Sequence, residues 1–145
     1  MTRDNLRKRH IIKPLDCVFC AEQETNHHLF FDCVVAKNIW SFVNIFFQKN
    51  LGANFESLAR LWISNKKNLA LNVVSSAVLW CLWKYRNSMI FNNTIWTSIN
   101  QVWRLIHRMI KFWVILIPET SKTRVEEFLS ALAKLLQQPL MISCG

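Results

Sequence analysis

The 145-residue chain contains only two glycines, three prolines and one tyrosine. Sheet-rich folds turn often and use Gly, Asn and Pro to do so. Their scarcity points away from sandwiches and barrels and toward an all-α fold. Two glycines also exclude a Gly-rich phosphate-binding loop. Acidic residues are few: nine, against 18 Lys and Arg, for a formal net charge of +9. None falls between Glu56 and Glu119. No group of carboxylates has the spacing of a two-metal nuclease or polymerase centre, so the chain reads as non-catalytic. Long apolar runs are missing as well. Residues 77–83 are stopped by Lys84, and the stretch from Met109 to Ile117 contains Lys111. A membrane span needs roughly 20 apolar residues, so no membrane partner is predicted. Met1 to Asn5 is polar and lacks the apolar core of a secretory signal. The expected location is intracellular, the nucleus ahead of the cytoplasm, and not secreted.

What is present is apolar and basic. Hydrophobic residues make up 52% of the chain, with seven Trp and ten Phe. That content excludes a disordered chain, and the length suits one domain. Arg60, Lys66, Lys67, Lys84, Arg86, Arg104, Arg108 and Lys111 fill the acid-free interval. Eight cations there nearly account for the net charge of nine. Such a patch predicts an anionic partner, with nucleic acid (RNA or single-stranded DNA) first. The competing reading is a solvated face. Trp80, Trp83, Trp96 and Trp103 interleave with the cations, and exposed rings of this kind stack on bases. Trp at helical spacing also builds cores, the expected role of Trp103 and Trp113.

Apolar periodicity outlines the helices. Residues 1–16 form a basic lead-in, helical or irregular, in which Arg7-Lys8-Arg9-His10 is a weak nuclear-localisation pattern. Val35, Ile39, Phe42, Val43 and Phe46 mark a helix over 34–48, with Gly52 as the available left-handed stop. A short helix is expected over 54–64. Residues 69–91 are apolar on most sides and predict a buried helix holding Cys81 as a small core residue. Ile95, Ile99, Val102, Ile106, Met109 and Trp113 form a heptad seam that predicts a helix over 95–117, ended by Pro118. Thr123 and Glu126 fit a capping box at the start of the last helix, whose stripe runs from Val125 to Leu136 before Pro139.

The densest chemistry lies in residues 17–33, which read C-x2-C-x7-H-x4-C through Cys17, Cys20, His28 and Cys33. Two cysteines separated by two residues place both thiolates on one side of a tight turn. A returning segment then adds His and Cys. Four such donors suit tetrahedral Zn²⁺ and leave no open position for substrate, so the site reads as structural. His28 is favoured and His27 competes with it. Ordinary buried cysteines are a poor alternative for so dense a cluster. A Cys17–Cys20 redox pair lacks the βαβ context it would need. Cys144 has no visible partner.

Several segments together carry a family resemblance. They are Thr2 to Arg9, Cys17-Val-Phe-Cys20, Glu24-Thr25, His28-Leu29-Phe30, Cys33, Ala36-Lys37 and Ile39-Trp40. This pattern resembles the zinc-binding region of plant reverse transcriptases, which follows the polymerase in LINE-type (non-long-terminal-repeat) retrotransposon polyproteins. Trp83-Lys84-Tyr85-Arg86-Asn87-Ser88-Met89-Ile90-Phe91 looks like the W-K-x-R-N-x-x-I-F segment found downstream in that family. Ala21 stands where Gly is frequent, and His27 where an acidic or polar residue is common; neither change removes a ligand. The resemblance implies Zn²⁺ held by Cys17, Cys20, His28 and Cys33. Composition and the run of helices separated by short polar breaks predict an all-α architecture in which an N-terminal CCHC knuckle (residues 15–33) packs on a small helical bundle. The reverse-transcriptase zinc-binding-like region then spans 1–91 and a C-terminal helical extension 92–145. With no polymerase or ribonuclease H sequence alongside, the chain is expected to be a fragment or remnant. Its expected role is non-catalytic nucleic-acid binding. The alternatives are a module that packs on a protein partner, a reverse transcriptase polypeptide among them, or a remnant without function.

Overall fold

The structure, a computed structural model, describes residues 16–63 and 66–138. The basic lead-in, its Arg7–His10 patch, Pro139 and Cys144 lie outside the described residues. Of the described residues, 76% are helical and none belongs to a strand. The helices are α1 (Val34–Phe47), α2 (Phe55–Ile63), α3 (Leu69–Phe91), α4 (Ile99–Trp113) and α5 (Glu119–Gln137). A π-helical turn, His28–Asp32, precedes α1, and 3-10 turns join α2 to α3 and follow α4. No described helix is long and apolar enough to cross a membrane.

Helix α3 is the hub. It contacts α1, α2, α4, α5 and the π-helical turn. A helix apolar on all sides is stable only when surrounded, and α3 buries Leu71, Val74, Val78, Cys81 and Leu82. Phe42, Phe46 and Phe47 of α1 meet Phe128 of α5, and Phe42 also meets Trp103 of α4 edge-on. Arg124 donates to the Phe46 carbonyl and lies 4.3 Å from that ring centre, tying α5 to α1. Trp103 is buried in this core, as its seam position predicts.

Three expectations are corrected at helix ends. Helix α4 starts at Ile99 rather than residue 95, and Ile95 is 77% exposed. Gln101 holds the preceding segment extended: its Oε1 accepts from Thr97 N–H (2.9 Å) and from the Tyr85 hydroxyl (2.7 Å). Helix α5 begins one turn before the supposed capping box, with Pro118 at its N-cap. Proline opens helices readily because its missing N–H has no intrahelical partner in the first turn. The left-handed residue ending α1 is Gln48, not Gly52. Asn44 clamps the turn that follows, through both the N–H and the carbonyl of Leu51.

Gly52 has another task. Its φ is +83°, and a Cβ there would run into the Trp40 ring. Trp40 in turn donates from Nε1 to the Phe30 carbonyl (2.7 Å), fastening α1 to the π-helical turn. Gly52→Ala is therefore expected to cost about 2 kcal/mol or more, through unfavourable φ and overpacking together. Urea unfolding checks this: the midpoint should fall with an unchanged slope.

Candidate metal centre

The loop before α1 is built to converge four donors. Asp16 and Gln23 form an isolated antiparallel bridge, and Cys17 N–H donates to the Glu22 carbonyl (2.7 Å). This closes the loop that carries Cys17 and Cys20. Thr25 Oγ1 accepts from His28 N–H (3.0 Å) and starts the next helical turn. That turn widens: Cys33 N–H donates to the His28 carbonyl (2.7 Å), a bond spanning five residues. In an α-helix, residues five apart diverge by about 140°. The wider π register swings them back toward one side. The H-x4-C spacing thus depends on a π-helical turn.

Cys17, Cys20, His28 and Cys33 offer ligand atoms that all lie within 4.8 Å of one another. The Cys17–Cys33 and Cys20–Cys33 sulfurs are each 3.8 Å apart, and His28 Nε2 is 3.1 Å from Cys20 Sγ. A tetrahedron with Zn–S near 2.3 Å has an edge of about 3.8 Å. The sulfurs therefore already stand at the separation a zinc ion requires. His27 points elsewhere: it is exposed, and its Nδ1 lies 2.8 Å from Asp32 Oδ2. The other ring nitrogen of His28 faces Glu22 at 3.6 Å, a carboxylate placed to orient the imidazole.

The thiols are electrostatically unequal. Cys17 is held down at about 5 by its pairing with the Cys33 sulfur, then by backbone N–H groups of Phe19 and Cys20 and by His28, against the opposing effect of burial. Cys33 is pushed up by the same pairing and by burial. Cys81, deep in α3, is pushed up to about 12 by burial. It is an inert core thiol.

Arg86 corrects the expectation of a phosphate-binding cation. It and Glu24 are both 0% exposed. Arg86 donates from Nε to Glu24 Oε2 (3.2 Å) and from Nη2 to Glu24 Oε1 (2.6 Å), while Nη1 donates to Asn87 (2.9 Å). A guanidinium fork matches a carboxylate in this way. Arg86 docks the metal-binding loop on α3. Phe19 reinforces the dock by packing on Tyr85 and edge-on against Trp96. Glu24 entered the sequence reading only within the Glu24-Thr25 segment of the resemblance, with no role assigned to it. The available signal was Arg86 falling on the same helix face as Leu71, Val78 and Leu82, where a charge must find a buried partner.

The other expected cations divide. Arg60, Lys67, Lys84, Arg104, Arg108 and Lys111 are exposed. The side chain of Lys66 lies outside the described residues. Lys84 and Arg108 line one groove, and Arg104, Arg108 and Lys111 share one face of α4.

Residues 1–40 match the family model described as zinc-binding in reverse transcriptase. No curated protein and no solved structure matches the chain. The matched segment contains all four clustered donors, and the Cys3His set fits Zn²⁺.

Two outcomes test this centre. Purified protein should carry about one zinc per chain, and Cys33→Ser should lose it, measured by elemental analysis. Acidification should release the metal, because protons compete for the thiolates and the imidazole. Separately, Arg86→Met should destabilise by about 3–5 kcal/mol by stranding the Glu24 carboxylate. Adding Glu24→Leu should recover much of that loss in a double-mutant cycle.

Proposed function

We propose that the chain is a non-catalytic, zinc-stabilised module derived from the reverse-transcriptase polyprotein of a plant LINE-type retrotransposon, and that it binds nucleic acid. Cys17, Cys20, His28 and Cys33 hold the zinc, which supplies folding energy to residues 15–33 and no reaction centre. Residues 1–91 form the zinc-binding unit, and the extension 92–145 completes its core and its basic face. The observation that carries the binding role is the exposed row Arg104, Arg108 and Lys111, with Lys84 opposite on α3, in an interval without acidic residues. Arg60 and Lys67 add charge elsewhere on the surface; Lys66, next in sequence, belongs to the same basic set. Phosphate contacts made by such a row release condensed counterions. Operation beside nucleic acid suits a nuclear location.

A second reading has its own observation. Ile115 and Leu116 are 77% and 81% exposed. Leu116 borders a groove of about 350 Å³ whose lining is mainly apolar and includes Val73, Trp113 and Pro118. Asn72 Oδ1, buried and without a hydrogen-bond partner among the described residues, belongs to the same groove. This end suits contact with a protein such as a polymerase segment.

Fluorescence anisotropy with labelled RNA and single-stranded DNA tests the first reading. Log affinity should fall linearly with log salt concentration. Absence of binding at low salt, or binding indifferent to salt, contradicts it. Light scattering tests the second: a clean monomer that takes up no apolar dye argues against it.

A further inference from the structure

The geometry points to the groove between α3 and α4 as a site for single-stranded nucleic acid, with bases stacked on Trp80 and Phe112 and phosphates held by Lys84 and Arg108. This deepens the nucleic-acid reading above and rests on it. The groove measures about 460 Å³, and Leu105 and Met109 form part of its apolar lining. Trp80 and Lys84 stand one turn apart on α3. Arg108 and Phe112 stand one turn apart on α4. Each wall therefore offers a ring and a cation, and Trp113 adds a second, half-buried ring to the α4 wall.

The rings are available. Trp80 is 45% exposed and Phe112 is 72% exposed. Trp80 is also braced: Trp83 stacks on it with centroids 5.3 Å apart and planes 30° apart. A braced ring loses little freedom when a base settles on it. Lys84 and Arg108 form no ion pair among the described residues, and one turn along α4 Arg104 and Lys111 extend the positive charge in both directions.

Charge complementarity decides the occupant. Two aromatic faces and two cations in an acid-free interval match a chain that carries both flat bases and phosphates. Duplex hides its base faces within its own stack, so it can use the cations but not the rings. A single strand uses both. RNA and single-stranded DNA share this chemistry, and parallel oligouridylate and oligothymidylate titrations show which sugar the site takes.

The test is anisotropy on the zinc-loaded full chain with labelled oligouridylate, oligothymidylate and a hairpin duplex. Trp80→Ala and Phe112→Ala should each weaken strand binding about tenfold, with duplex binding little changed. Trp80→Phe should restore most of the loss. Lys84→Ala combined with Arg108→Ala should flatten the salt dependence by about 1.4, at about 0.7 per phosphate contact. Zinc content and circular dichroism of each variant establish that it is folded. If Trp80→Ala and Phe112→Ala bind strands like the parent while Arg104→Ala and Lys111→Ala bind weakly, the groove proposal is overturned and the nucleic-acid reading stands. If the parent binds no nucleic acid at low salt, both fall.

Discussion

Arg86 and Glu24 lie 62 residues apart and meet with both side chains shut off from solvent. The second half of the metal-binding segment is held by Leu29 and Phe31, buried in the core, and by Trp40 on the Phe30 carbonyl. Its first half, the loop from Cys17 to Glu24, needs an anchor on α3. The fork of Arg86 supplies that anchor, and Phe19 against Tyr85 and Trp96 closes the joint around it. Burying both charges is expensive, and their mutual attraction offsets the expense only with good geometry. The reward is orientation. Glu24 sits between the Cys17–Cys20 pair and His28, so fixing it fixes the approach of the two halves of the donor set. Metal and ion pair are then mutually dependent: the metal shapes the loop that presents Glu24, and Arg86 holds that loop where the four donors meet.

The same helix divides its charges by geometry. Lys84 and Arg86 are two residues apart, which on an α-helix turns one about 200° from the other. Lys84 therefore faces the groove beside α4 while Arg86 faces the metal loop. One element carries the anchor of the metal centre on one side and a wall of the proposed strand site on the other. Tyr85, between them, ties the segment before α4 through Gln101. Loss of metal could thereby reach the groove through α3 and its neighbours.

Much of this was legible in residue spacing. Apolar periodicity located four of the five described α-helices, because their buried faces repeat with the helical period, and the length of the apolar run 69–91 located α3. The spacing of Cys17, Cys20, His28 and Cys33 picked out residues that the structure brings together. The misreadings have two physical causes: partners distant in sequence, and local bonds that no period reveals. Arg86 looked like one more exposed cation because its partner is far away in the chain. The seam was extended to Ile95 because nothing in the pattern shows Gln101 holding Ile95 and Thr97 out of the helix. Thr123 and Glu126 match a capping pattern, yet the helix had already begun after Pro118. The π-helical turn that brings His28 over Cys33 has no periodic signature at all.

The central claim is that three sulfurs and one imidazole nitrogen close around a single zinc. X-ray absorption at the zinc edge of the purified protein measures that shell directly. The account predicts three sulfurs at about 2.3 Å and one nitrogen at about 2.0 Å, with no further ligand. A shell containing water or carboxylate oxygen, or fewer than three sulfurs, would contradict it.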